Sequence, residues 1–148
     1  MQDRLDSLVE AIDAAAATQT SALDRIKAIM AAHYRFEMRH PKLFLAHIIA
    51  AFTPNLEPGI VPFGASPRTM AAAHRALLEG INSGEIDPAA DVDRVIDVLC
   101  GVYAWNYRLA ANETVDAEHL IALANRQADL IFDSIRQRLS VRLRWSRG

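Results

Sequence analysis

A chain of 148 residues with a formal net charge of −2 fits one domain and carries no global excess of basic charge for gripping nucleic acid. Its 51% apolar content is rich in alanine and leucine, which favours an all-α fold over sheet. Its one cysteine, Cys100, excludes an internal disulfide, no apolar run approaches the ~18 residues of a membrane span, and no basic-then-apolar leader opens the chain, so a cytoplasmic protein is expected.

The first predicted helix runs from Asp3 to Ala17, with Leu5, Leu8, Val9 and Ile12 on one face, and starts almost at once after Met1. Thr18 to Ser21 breaks the pattern, and Ser21 with Asp24 resembles a capping box with Asp in place of Glu. A second helix then runs to about Arg39 and is ended by Pro41, which opens a short third helix reaching Phe52. Thr53 to Ala65 is dense in proline and glycine, and its Ile60, Val61 and Phe63 predict an irregular segment packed down as a lid. Ser66-Pro67 opens a fourth helix to about Ile81, and Asn82-Ser83-Gly84 stops it.

Two long helices are expected to follow, from Asp87 to about Leu139, joined by the turn Asn112 to Val115. Asp87-Pro88 is read as the start of the first and Asp116 as the start of the second. At about 24 residues, such a helix is roughly 36 Å long. Each carries two apolar faces, one more than a single core needs. The outer set comprises Val98, Gly101, Val102 and Leu109 on the first, and Ile121, Ala124, Ala128, Phe132 and Ile135 on the second. Pairing these faces across a two-fold axis gives a four-helix bundle, so a homodimer is expected. The last residues, 140–148, are basic and read as a frayed, solvated tail, with Trp145 in it.

Candidate chemistry is sparse. His33, His40 and His47 are spaced by sevens and Glu37 with His40 forms a Glu-x-x-His pair, but a carboxylate-bridged metal bundle needs two such pairs and further carboxylates. Core or surface histidine is the better reading, so no metal or cofactor is expected. Cys100 lies in an apolar register, where a thiol behaves as a small hydrophobe, and neither a nucleophile elbow nor a phosphate loop is present. The pattern points away from an enzyme. A ligand pocket is the stronger reading. Met30, His33, Tyr34, Phe36, Phe44, Ile48, Phe52, Met70 and His74 gather on the middle helices, with Tyr103, Trp105 and Tyr107 behind them and Asn106 as a further polar group.

Three stretches carry a resemblance: Ala32-His33-Tyr34-Arg35-Phe36 with His40-Pro41, Leu78 to Ile86, and Gly101 to Arg108 followed by a turn and Asp116-Ala117-Glu118. The pattern resembles the C-terminal regulatory domain of tetracycline-repressor-like (TetR-family) transcriptional regulators, over roughly Leu5 to Ile135. The resemblance implies a bundle of about six helices whose last two form the dimer's four-helix bundle. It also implies a small hydrophobic or acyl-type effector, since the Trp-x-Tyr-Arg stretch is similar to members that control lipid, steroid or acyl-coenzyme A metabolism. The family's DNA-binding helix-turn-helix precedes this region, so no residue of this chain is assigned to DNA. A stand-alone helical interaction module and a metal-binding bundle are the alternatives.

Overall fold

The computed structural model describes residues 2–51 and 67–137. Six helices make up the described fold: α1 (Gln2–Ala17), α2 (Ala22–Glu37), α3 (Pro41–Ala51), α4 (Pro67–Asn82), α5 (Val92–Asn106) and α6 (Ala117–Ile135). A 3-10 segment, Tyr107–Ala111, continues α5. The described residues hold no strand, only an isolated antiparallel bridge between Ile86 and Arg136. None of their helices is long and apolar enough to cross a membrane. The expected lid over Thr53–Ala65, the side chains of Ile48 and Phe52, and the tail with Trp145 lie outside the described residues.

The central element is α2, which packs against α1, α4 and α6, while α5 bridges α4 and α6 and α3 leans on the 3-10 segment. Its sequence explains the position. Ile26, Ile29, Met30, His33, Tyr34 and Glu37 recur every three or four residues, and Ala22 and Ala31 widen that stripe around the cylinder, so it buries more than one face. Tyr34, Tyr107, Phe132, Ile12 and Leu120 are among the side chains removed almost completely from water. Fully burying a large apolar side chain contributes about 1.5–3 kcal/mol.

The start of α2 is fixed twice. The Ser21 hydroxyl accepts the Asp24 N–H at 3.0 Å, as the local pattern predicts. The Glu85 carboxylate, from the turn after α4, accepts the Ala22 and Leu23 N–H groups at 2.7 and 3.1 Å. A carboxylate at a helix N-terminus also meets the positive end of the helix dipole. Two glycines make this contact possible. A Cβ at Gly80 would stand 2.7 Å from the Ala22 Cβ and 2.7 Å from Ile86 Cδ1, and Gly84 has φ +80, the left-handed region.

The long pair departs from its expected bounds. Asp87 does not open α5: its carboxylate accepts the Ala89 N–H at 2.8 Å in a local turn, while its own N–H donates to the Ile135 carbonyl at 2.8 Å. Asp91 is the cap, accepting the Arg94 N–H at 3.2 Å, and α5 is 15 residues long rather than about 24. At the other end Asp116 caps α6 as expected, with His119 in the reciprocal role of a capping box. That helix stops at Ile135 rather than near Leu139, because Arg136 turns extended to bridge Ile86 and the Gln137 N–H donates to the Glu85 carbonyl at 3.3 Å.

Burial also reassigns the outer face. Ile121, Ala124, Ala128 and Phe132 are buried in the chain's own core, so they do not form an outward surface. Their register faces inward, and the alanines let α6 approach its neighbours closely. Leu109 and Ile135 are half-buried against the same core. Of the expected outer set, Val98 and Gly101 are exposed and Val102 is half-buried. They are joined on the outside by Trp105, 63% exposed, and by Leu130 of α6, 73% exposed.

Glu85→Ala is expected to cost about 1–3 kcal/mol, since two helix N–H groups lose a charged acceptor. Gly80→Ala is expected to destabilise by a similar amount through the forced shift of α4 from Ala22 and Ile86. Urea unfolding measures both, and unchanged midpoints would contradict this account of how α2 is held.

Candidate ligand-binding site

The C-terminal end of α2 holds a buried carboxylate. Glu37 is 3% exposed, and its Oε2 accepts hydrogen bonds from the hydroxyls of Tyr103 and Tyr107. Those tyrosines are four residues apart, one on α5 and one at the start of the 3-10 segment, so their rings reach the same side. Their hydroxyls are also 3.0 Å from one another. Oε1 of Glu37 faces His33 Nδ1 at 3.3 Å, one turn back on α2, and His33 Nε2 lies 3.1 Å from the Thr69 hydroxyl on α4.

Aromatic packing encloses this polar group. The Tyr34 ring lies 4.7 Å from Tyr103 and 5.3 Å from Tyr107, and Phe44 of α3 stacks on Tyr107 at 6.1 Å. The Tyr34 hydroxyl donates to the Tyr103 carbonyl at 3.0 Å and accepts from Asn106 Nδ2 at 3.2 Å. Asn106 and Gln127 exchange two hydrogen bonds, of 2.7 and 3.1 Å, which tie α5 to α6. Burial pushes the Glu37 carboxyl above its ordinary range, opposed by its bonds to His33 and Tyr103. Burial likewise raises the Tyr34 and Tyr103 hydroxyls, reinforced by the charge of Glu37.

Next to His33 lies a cavity of about 50 Å³ between α2, α4 and α5. Ile26, Ile29 and Met30 wall it from α2, Met70 and Ala73 from α4, and Ile96, Leu99 and Cys100 from α5. Its polar lining residues are His33, Thr69 and Tyr103. Sites for drug-sized ligands usually exceed about 300 Å³, so this one admits only a slender molecule unless its walls move. Met70 and Ile96 also line a surface groove of about 650 Å³ between α4 and α5, along with Ala71, His74, Arg75, Asp93 and Asp97. The two side chains are therefore shared by the cavity and the groove beside it. Cys100 Sγ sits 3.8 Å from Met70 Sδ, and burial raises its thiol above the ordinary range, away from the reactive thiolate.

The structure brings together four residues of the expected pocket, Met30, His33, Met70 and Tyr103. Tyr34, Tyr107 and Phe44 stand behind the cavity in the aromatic cluster rather than on its wall. Phe36 packs on the core with the Arg39 guanidinium over its ring, and His74 lies in the outer groove, 3.4 Å from Asp93. Trp105 does not wall the pocket: its ring is exposed and carries the Arg108 guanidinium at 4.6 Å. The Glu-x-x-His pair is split, because Glu37 is buried and His40 is exposed. Among the described residues no three His, Cys, Asp or Glu side chains are placed to hold a metal ion.

Thr69 and Glu37 are the polar residues that the sequence reading of the pocket misses. Glu37 carries a signal there, since His33 and Glu37 are one turn apart, but its tyrosine partners are 66 and 70 residues away. Comparison with known proteins finds no matching family, curated protein or solved structure.

The sign of the Glu37 shift sets a pH dependence. A raised folded value means its contribution is complete below the unfolded carboxyl range and is lost as pH rises through the folded value. Glu37→Gln keeps an oxygen for the tyrosines without the charge. Its melting temperature is expected to gain on the native chain as pH rises above the ordinary carboxyl range, and a gap independent of pH would refute the assignment. Glu37→Leu strands the partners of the carboxylate and is expected to cost about 3 kcal/mol in denaturant unfolding.

Proposed function

We propose that this chain is a ligand-sensing, dimer-forming regulatory domain of the TetR-like type, which binds a small hydrophobic effector. The observation that carries the reading is the apolar cavity between α2, α4 and α5, with His33, Thr69 and Tyr103 as the polar residues of its lining. Apolar walls with a few polar groups are the usual build of a small-molecule site between helices. Binding rather than catalysis fits the chemistry, since Glu37 is engaged by two tyrosine hydroxyls and Cys100 is a half-buried thiol raised above its ordinary range.

A second copy of the chain is the proposed partner. The outer side of the last two helices carries Val98, Gly101 and Trp105 on α5 and Leu130 on α6, all exposed. A Cβ added at Gly101 would meet nothing within 4 Å, so the backbone there is open to close approach from outside. Packing this face on itself across a two-fold axis makes a four-helix bundle. In this reading an effector entering between α4 and α5 acts by its unequal affinity for two positions of those helices.

Sedimentation of the purified chain is expected to give twice the chain mass, and Trp105→Glu with Val98→Glu to give the single chain with unchanged helicity. A native chain that sediments as a monomer sinks the dimer. Filling the cavity with Ala73→Leu is expected to abolish the rise in melting temperature that small hydrophobic compounds give the native chain.

A further inference from the structure

We propose that the cavity takes an uncharged, slender apolar molecule bearing one carbonyl oxygen, a ketone or ester, and that the Thr69 hydroxyl donates a hydrogen bond to that oxygen. This rests on reading the cavity as a ligand site and adds the chemistry of its occupant.

The polarity of the site follows from where its protons go. Tyr103 donates its hydroxyl proton to Glu37, so it offers the cavity no donor. His33 and Glu37 are both buried, so the pair is least costly when it carries no net charge. With both tyrosine hydroxyls donating to Glu37 Oε2, two placements of the protons satisfy that. In one, protonated Glu37 donates to His33 Nδ1 and the ring keeps its own proton on Nε2. In the other, Glu37 is ionised and the ring is protonated on both nitrogens. In either case Nε2 is a donor, and its partner 3.1 Å away is the Thr69 oxygen. Having accepted that bond, Thr69 directs its own proton elsewhere, and among the described residues its hydroxyl makes no second hydrogen bond. Thr69 is one of the residues that line the cavity, and it stands there beside His33.

A ligand acceptor there must be neutral. Among the described residues no lysine or arginine lines the cavity, so a carboxylate head would enter an apolar space without a counter-ion and beside Glu37. A cation gains little, because Glu37 does not line the cavity and its Oε2 is covered by two tyrosine hydroxyls. The body of the molecule meets aliphatic and thioether groups. Met30 and Met70 give those walls the adaptability that a cavity of about 50 Å³ needs to admit a short chain.

The test titrates the purified chain, at neutral pH, with methyl butyl ketone, hexane and hexanoate, comparing native protein with Thr69→Val. The native chain is expected to bind the ketone and hexane but not hexanoate at matched concentration. Thr69→Val is expected to weaken the ketone by about tenfold and leave hexane unchanged. Should the valine variant fail to fold, the carbonyl stretch of the ketone bound to the native chain decides. A shift to lower frequency than in hydrocarbon solvent supports the donor, and an unshifted band overturns it. Equal ketone affinity in both proteins, or hexanoate binding as tightly as the ketone, also overturns the proposal while leaving a ligand site in place. Binding of none of the three removes the ligand site itself and the proposal with it.

Discussion

A carboxylate left with 3% exposure in the interior obliges its surroundings to supply donors, and Glu37 organises the upper half of the molecule in that way. Two tyrosine hydroxyls and a histidine meet it, and each arrives on a different part of the chain: α2, α5 and the 3-10 segment. Through His33 the set extends to Thr69 on α4, and through the ring of Tyr107 to Phe44 on α3. Helix packing alone tolerates sliding by a residue. Directional bonds to one buried group do not, because an unmade bond in a low-dielectric site costs more than a made one returns. The register of five elements is therefore set by a single side chain.

The opposite end of the same helix is held by another acid. Glu85 supplies acceptors for the first N–H groups of α2, where the helix dipole favours negative charge. With α2 fixed at both ends, α1, α4 and α6 pack on a helix that can neither shift along its axis nor fray easily. Surface ion pairs between α2 and α6, such as Arg35 with Glu118 at 2.8 Å, add little by comparison because both partners are solvated. The interior cavity lies alongside this fixed rod, bounded on its far side by α4 and α5. Any enlargement of it is thus a movement of those two helices rather than of α2.

The parts of this arrangement visible in the sequence are those with local signals. Ser21 and Asp116 announce helix starts because a cap acts over three residues, and the apolar repeats of α2 and α4 mark their buried faces. Two acids near the start of α5 compete for the role of cap. Asp87 loses to Asp91 because its N–H is claimed by Ile135, nearly fifty residues on, which no local pattern records. On α6 the period identifies two apolar stripes without saying which meets α2, so Ile121, Ala124, Ala128 and Phe132 read as outward-facing although they lie inside. The candidate site divides in the same manner. Met30, His33, Met70 and Tyr103 are legible from residue type and spacing, whereas Thr69 acquires its role only from the distant histidine that folding places beside it.

The turn of Glu85, Ile86 and Asp87 has a mechanical meaning beyond its individual bonds. Glu85 receives the first N–H groups of α2 through its side chain and the Gln137 N–H through its backbone. The N–H groups of Glu85 and Ile86 return to the Gly80 carbonyl near the end of α4, and that of Asp87 goes to the last residue of α6. Three consecutive residues thus act as a common bearing for the ends of three helices, just ahead of α5. A helix hung from a bearing pivots there and travels most at its far end. For α4 the far end carries Thr69 and Met70, so this geometry converts a small tilt at Gly80 into the widest opening beside the cavity.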